Sequence, residues 1–315
     1  MSDAILCEAV NLFYEKPSSD IINMITIDYE DLTPDERAQF AEITCLPMCQ
    51  ELELHDTKLT HLPDLPQCRI LYCYMNQLTH LPDLPQCQIL DCDYNQLTSL
   101  PDLPQCRRLY CYMNQLTHLP DLPLCQILRC GGNVVFSQNH CDYQLTSLPV
   151  LPKCQVLECE DNRITHLPEL PLCLALSCWG CRLTHLPNLP VCRVLFCGGN
   201  GLTYLPNLPV CQLLDCSENK LSNLPFLPVC QRIRSDDFHG SHQMSRWYIY
   251  EGQSSLVPNN RNFDDMKGYL NNNIDFAPYH GNSLGILEWL KNNPLPAHPV
   301  QVSAPASTTR KNSIN

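Results

Sequence analysis

The chain has 315 residues and a formal net charge of -13, from 20 Lys+Arg against 33 Asp+Glu. That balance excludes a binder of nucleic-acid backbones, which carries a basic stripe. No run approaches the roughly 18 apolar residues of a membrane span.

Residues 1–45 come first. The opening MSDAILCEAVNLFYEKP lacks the basic n-region and small-residue cleavage site of a secretory signal, so export by the general route is not expected. DAILCEAVNLFYEK has apolar residues at helical spacing. Thr33-Pro34-Asp35-Glu36 then opens ERAQFAEI with an N-cap, a first-turn proline and a capping-box glutamate. Both features predict a helical N-terminal cap over 1–45.

From 46 to 234 the chain repeats. The anchors Leu59, Leu78, Leu97, Leu116, Leu145, Ile164, Leu183, Leu202 and Leu221 are 19 residues apart, except for one step of 29. A typical unit, residues 68–86, reads Cys68-x-x-Leu71-x-Cys73-x-x-Asn76-x-Leu78 and continues into Leu-Pro-x-Leu-Pro. Leu71 and Cys73 alternate inward on a short strand, which sends Tyr72 and Tyr74 outward. Asn76, Asn95, Asn114, Asn133, Asn162, Asn200 and Asn219 form a column able to satisfy backbone groups where the chain leaves the strand; Cys181 takes this place once. Two prolines in five residues exclude helix from the second half, and an extended polyproline-like segment is expected there. The pattern is that of the leucine-rich repeat, with cysteine at two leucine positions. It predicts a solenoid of about ten coils with short parallel strands on a concave face and extended segments on the convex one.

Of the 22 cysteines, ten recur at the place of Cys68 and eight more at that of Cys73. Two long columns at core positions point to small buried hydrophobes in a reducing compartment, not to disulfides or zinc, which need a few convergent pairs. No cofactor is expected.

The Leu-Pro-x-Leu-Pro units, as in LTHLPDLP at 78–85, resemble the LPX subtype of bacterial leucine-rich-repeat effectors, proteins that Gram-negative pathogens inject into host cells. The resemblance covers residues 46–234. It implies a virulence protein made in the bacterial cytoplasm and secreted into the host cytosol, where it acts on a protein. Some relatives append a ubiquitin-ligase domain with a Cys-x-Asp motif. No cysteine follows Cys230 here, so the short form without that domain is expected. Cys159-Glu160-Asp161 matches the motif only by falling on a repeat strand with Cys159 in the core column.

The 29-residue unit carries about ten extra residues within 131–144, GGNVVFSQNHCDYQ. A loop leaving the array at the C-terminal edge of a strand is expected, with Phe136 among its contact residues. Beyond the array, FDDMKGYLNNNI (263–274) and SLGILEWLKNN (283–293) predict short helices in a C-terminal cap over 235–293. Residues 294–315, rich in Pro, Ser, Thr and Ala, are expected to be a disordered tail.

Candidate chemistry is sparse. His61, His80, His118, His166 and His185 share one column, in which Ser99, Ser147, Tyr204 and Asn223 also stand; a metal ladder tolerates such replacement poorly, and a solvated column is expected. His239 and His242 beside Asp236 and Asp237 lack the flanks of a zinc-protease helix. The outward strand positions carry more. Arg69, Tyr72, Tyr74, Asp91, Asp93, Arg108, Tyr110, Tyr112 and Arg129, with Glu158, Glu160, Trp179 and Phe196 further along, place aromatic and arginine side chains on a rigid concave sheet, the composition of protein-binding hot spots. Ile70, Ile89, Ile127, Val156, Val194 and Leu213 add an apolar stripe at the sheet margin. Residues 67–85 and 105–123 differ only at Ile70 and Arg108, so the paired tyrosines also carry the mark of duplication. The expected function is a non-enzymatic, monomeric module that masks or inhibits one protein partner, a host protein or another bacterial effector. The alternative is an adaptor recruiting a host ubiquitin ligase or kinase through residues 1–42 or 235–293.

Overall fold

The computed structural model describes residues 24–26, 44–137, 140–143, 145–235 and 246–249, with side chains described for 44–133 and 145–235. Among the described residues there are fourteen strands: β1 Met24–Thr26, β2 Glu51–Glu53, β3 Ile70–Tyr72, β4 Ile89–Asp91, β5 Arg108–Tyr110, β6 Ile127–Arg129, β7 Val134–Ser137, β8 His140–Tyr143, β9 Val156–Glu158, β10 Ala175–Ser177, β11 Val194–Phe196, β12 Leu213–Asp215, β13 Arg232–Ser235 and β14 Arg246–Ile249. Twelve of them form one sheet in chain order, leaving out β7 and β8. The pairing is parallel from β1 to β13, and the result is a solenoid of about nine turns.

The repeat dictates this arrangement. In each turn the middle strand residue (Leu52, Leu71, Leu90, Leu109, Leu128, Leu157, Leu176, Leu195, Leu214) is at most 1 % exposed, and adjacent turns pair it with its equivalent. Cys68, Cys73, Leu78 and Leu84 and their equivalents join it in one core that runs the length of the solenoid. All eighteen column cysteines are buried free thiols. The first-column thiols also serve the backbone, as where Cys68 Sγ donates to the Ile70 carbonyl at 3.2 Å.

Among the described residues there is no helix. The proline-rich halves carry turns: Cys68 N donates to the Leu65 carbonyl at 3.2 Å, and Cys87, Cys106, Cys125 and Cys154 repeat the bond to Leu84, Leu103, Leu122 and Leu151. This makes the second proline of each unit, such as Pro66, the second residue of a β-turn, where its fixed φ is already correct.

The asparagine column works as expected. Asn114 Nδ2 donates to the Cys92 carbonyl at 2.9 Å, and its Oδ1 accepts from Leu97 N at 3.0 Å. Six turns repeat the bond to the leucine seventeen residues earlier. Asn162, the first after the insertion, keeps its carbonyl contact to Cys130 at 3.0 Å. Cys181 substitutes its thiol, donating to the Cys159 carbonyl at 3.2 Å.

The residue before each rung lies in the left-handed region: Met75, Tyr94, Met113, Gly132, Asp161, Gly180, Gly199 and Glu218 have φ between 52° and 67°. This conformation turns the chain out of the strand and costs a residue with a Cβ about 1–2 kcal/mol. At Gly199 a Cβ would also stand 3.2 Å from Gly180 N, whereas at Gly201 it meets only Leu183 O at 3.4 Å with no positive φ. Gly199→Ala is therefore expected to cost about 1–2 kcal/mol and Gly201→Ala less than about 0.5 kcal/mol. Urea midpoints compare them, and equal losses would contradict the turn geometry.

Three sequence expectations change. The insertion, expected as a loop leaving the array, is an antiparallel hairpin, β7 paired with β8: VVFS and HCDY are long enough to satisfy each other's backbone. A strand, β1, precedes the array within 1–45, and β14 pairs antiparallel with β13 within 235–293. Each covers an edge of the sheet that would otherwise present unpaired backbone groups. The expected helices at 3–16, 33–43, 263–274 and 283–293, and the tail 294–315, lie outside the described residues.

Candidate functional site

The strand register places the outward side chains in files. One file runs Glu53, Tyr72, Asp91, Tyr110, Arg129, Glu158, Ser177, Phe196, Asp215 and Arg234, each opposite the next. Two residues on in each turn stand His55, Tyr74, Asp93, Tyr112, Gly131, Glu160, Trp179, Gly198 and Ser217.

The N-terminal half of this face is open. Arg69 and Arg108 are exposed, and Tyr72, Tyr74, Asp91, Tyr110, Tyr112 and Arg129 are half-buried. The aromatic rings support one another: His55 stacks on Tyr74 with centroids 5.1 Å apart, and Tyr94 meets Tyr112 edge-on at 5.6 Å. Arg129 lies over the Tyr112 ring, 4.5 Å from its centroid, held there by Asp93 Oδ2 at 2.8 Å and Glu158 Oε2 at 3.6 Å. Asp93 Oδ1 accepts from Tyr112 N at 2.5 Å. The guanidinium and ring are thus fixed in advance of any partner, which lowers the entropy a contact must overcome.

Sequence reasoning missed two contributors. Tyr94 and Met75, 48 % and 51 % exposed, occupy the left-handed position before the asparagine and add one aromatic and one apolar side chain beyond the two expected files. The only signal was their place one residue before each rung.

Four expected contact residues are placed differently. Asp93 is 5 % exposed and tied to Arg129. Glu158 and Phe196 are fully buried and Glu160 is 8 % exposed, so none of the three is offered to solvent as the alternation predicted; β9–β12 are buried on both faces. Trp179 is half-buried and lies against Gly198 and Gly199, where an added Cβ would meet its ring at 2.7 and 3.2 Å. The side chain of Phe136 lies outside the described residues.

Burial pushes Asp93 up to about 7, outweighing the opposing Arg129 charge, and pushes Glu160 up to about 7 as well. Between pH 4 and 7 the unfolded chain releases these protons before the folded chain does. Stability is therefore expected to fall as pH rises through that window and to level off above it. Urea midpoints at pH 5 and 7.5 test the sign, and Asp93→Asn should flatten the slope; a midpoint rising with pH would contradict it.

The histidine column is exposed, with His61, His80, His118, His166 and His185 each sharing a contact of 3.0–3.3 Å with the preceding threonine hydroxyl. Among the described residues no group of three or more His, Cys, Asp or Glu side chains could hold a metal ion; His239 and His242 lie outside them. No helix among the described residues is long and apolar enough to cross a membrane.

No protein-family model and no curated protein matches this sequence. Among solved structures the chain is similar to YopM, a leucine-rich effector protein from Yersinia pestis, with 26 % identity, a TM-score of 0.46 and coverage of 61 % of this chain and 67 % of that one. For YopM from Yersinia enterocolitica WA-314 the identity is 21 %, the TM-score 0.30 and the coverage 75 % and 72 %. For a leucine-rich-repeat protein of Leptospira interrogans the values are 25 %, 0.40, 64 % and 68 %.

Proposed function

We propose that the chain is a non-enzymatic leucine-rich-repeat scaffold that grips one protein partner on the open half of its concave face. The observation that carries this reading is the preorganised patch of Tyr72, Tyr74, Tyr110, Tyr112 and Arg129, in which an arginine is clamped over a tyrosine by two carboxylates. Rigid aromatic and arginine side chains on a sheet supply contact area with little rotamer entropy left to lose. By the resemblance of its Leu-Pro-x-Leu-Pro units to the LPX effectors, the partner is met in the host cytosol after translocation, and binding masks its functional surface.

Affinity capture with mass spectrometry, from host and bacterial lysates, tests the proposal. A variant with Tyr72 and Tyr110 changed to alanine runs beside the wild type. A protein retained by the wild type and lost by the variant supports it. A protein retained equally by both moves function to the terminal regions and favours an adaptor.

A further inference from the structure

Residues 67–85 and 105–123 are two copies of one unit that differ at a single place, Ile70 in the first and Arg108 in the second. The register sets Ile70, Ile89, Arg108 and Ile127 side by side at the head of β3–β6, and the column runs on, apolar, to Leu213. Arg108 alone interrupts it. Packing does not call for the change, since isoleucine serves at the same place in both neighbouring turns. Ile70 and Ile89 are half-buried there, and Arg108 is exposed. Other outward arginines are neutralised within the chain: Arg129 pairs with Asp93 and Glu158, and Arg234 with Asp215. Among the described residues Arg108 makes no ion pair, and neither do Arg69 and Arg107. Those two are exposed in the adjoining column, on either side of Gln88. The Arg108 charge also reaches two phenols. Burial raises the Tyr72 and Tyr110 hydroxyls above the usual value, and Arg108 opposes the rise at both. Both hydroxyls therefore keep their protons at neutral pH and can donate.

We infer that Arg108, with Arg69 and Arg107 beside it, is a carboxylate-reading edge of the open half, and that the segment it receives is an extended, acidic stretch of the protein partner. The inference rests on the reading of this half as a binding face and adds the chemistry of what binds. A guanidinium takes a carboxylate through two parallel N–H···O bonds, and Tyr72 and Tyr110 supply rings for the apolar part of the same segment. The spacing agrees. Arg69 and Arg107 stand two turns apart, about 9.6 Å, and carboxylates three residues apart on an extended chain are about 10 Å apart. A phosphate fits less well. Glu51, Glu53 and Asp91 also act on the Tyr72 hydroxyl, so a group of charge near -2 meets as many carboxylates as arginines, whereas one carboxylate needs a single fork. The net charge of -13 repels any acidic ligand at long range. The attraction is therefore local, acting within a Debye length of about 8–10 Å, and selects partners more than it tightens them.

Fluorescence anisotropy on the full chain, at about 50 mM salt to limit screening, tests it. The labelled probes are four repeats of Glu-Ser-Pro, four of Gln-Ser-Pro, and the latter phosphorylated on its serines. The wild type is expected to bind the glutamate peptide at least about fivefold tighter than the glutamine peptide. Arg108→Ile restores the residue of the duplicate unit and so keeps the fold; it should bring that preference below about twofold. Lys220→Gln removes an equal charge from an exposed site on another turn and should leave the preference in place. A wild type that does not distinguish glutamate from glutamine overturns the inference. So do equal losses in the two variants, or tighter binding of the phosphorylated peptide than of the glutamate one. Where the preference is absent, Tyr110→Ala tells which reading failed: loss of binding keeps the open half as a face that takes no acid, and unchanged binding removes the face as well. Labelling by phenylglyoxal gives a second measure in the unaltered chain. Arg108 should react readily and be protected by the glutamate peptide, and labelling indifferent to saturating peptide overturns the assignment.

Discussion

Replacing Asn114 by alanine is expected to cost the chain about 3 kcal/mol, a large fraction of the roughly 5–15 kcal/mol that holds a typical domain together. Asn114 is 1 % exposed, so no water stands ready to replace it. Its amide joins two turns, donating to the Cys92 carbonyl at 2.9 Å and accepting from Leu97 N at 3.0 Å. Alanine leaves Leu97 N buried without that partner, at about 1–3 kcal/mol, and takes one of two amide donors from the Cys92 carbonyl, which keeps Asn95 Nδ2 at 3.1 Å. Gln96→Ala, at an exposed site, is expected to stay within about 0.5 kcal/mol. Urea unfolding followed by circular dichroism reads both. A loss below about 1 kcal/mol at Asn114 would mean that the column does not carry the coils.

The second large effect concerns the thiols. Of the twenty cysteines whose side chains are described, nineteen are buried and Cys45 is half-buried. Burial pushes Cys49 up to about 11 and Cys68 to about 12, and holds Cys73, Cys92 and Cys111 well above the usual thiol value. The thiolate is the reactive form, so at pH 8 these groups lack both charge and access. Labelling by an aromatic disulfide reagent is expected to be at least about a thousandfold slower in the native protein than in denaturant, because it must await unfolding. Cys45 should react early. Reaction of more than half of the 22 cysteines within minutes under native conditions would overturn the core assignment.

Much of the architecture was legible because one period governs it. The spacing of Leu59, Leu78, Leu97 and Leu116 fixes the strands. The cysteine columns follow from their place beside Leu71 and its equivalents, and the role of Asn76 follows from the exit of the strand. What escaped has physical reasons. The left-handed position is filled by Met75, Tyr94, Met113 and Glu218, residue types that announce no such conformation; Gly132, Gly180, Gly199 and, more weakly, Asp161 do. The hairpin was hidden because Ser137-Gln138-Asn139-His140 carries no glycine turn signal. Strand β14 lies in RWYIY, rich in strand formers, but its pairing partner is set by the sheet edge and not by its own pattern.

The candidate site was legible in part. Tyr72, Tyr74, Tyr110 and Tyr112 stand where alternation puts them. Alternation fixes which way a side chain points and says nothing of what lies upon it. For that reason Glu158, Glu160 and Phe196 were expected in the open and are buried. Asp93 was expected as a contact for a partner; its partner is Arg129, two turns away, a pairing that two files of residues do not reveal until the coils are stacked.

The most direct test of the central claim is a titration of the captured partner against single-site variants on and off the open face. Tyr72 and Tyr110 lie on it. Tyr204, 55 % exposed, lies in a Leu-Thr-x-Leu-Pro segment away from the strands and serves as a control that is more accessible still. Calorimetry should show that Tyr72→Ala and Tyr110→Ala each weaken binding at least about tenfold, the loss of more than 1.4 kcal/mol typical of a hot spot, while Tyr204→Ala stays within about twofold. Equal affinities across the three variants, or a loss confined to Tyr204→Ala, would contradict the assignment of the concave face as the functional surface.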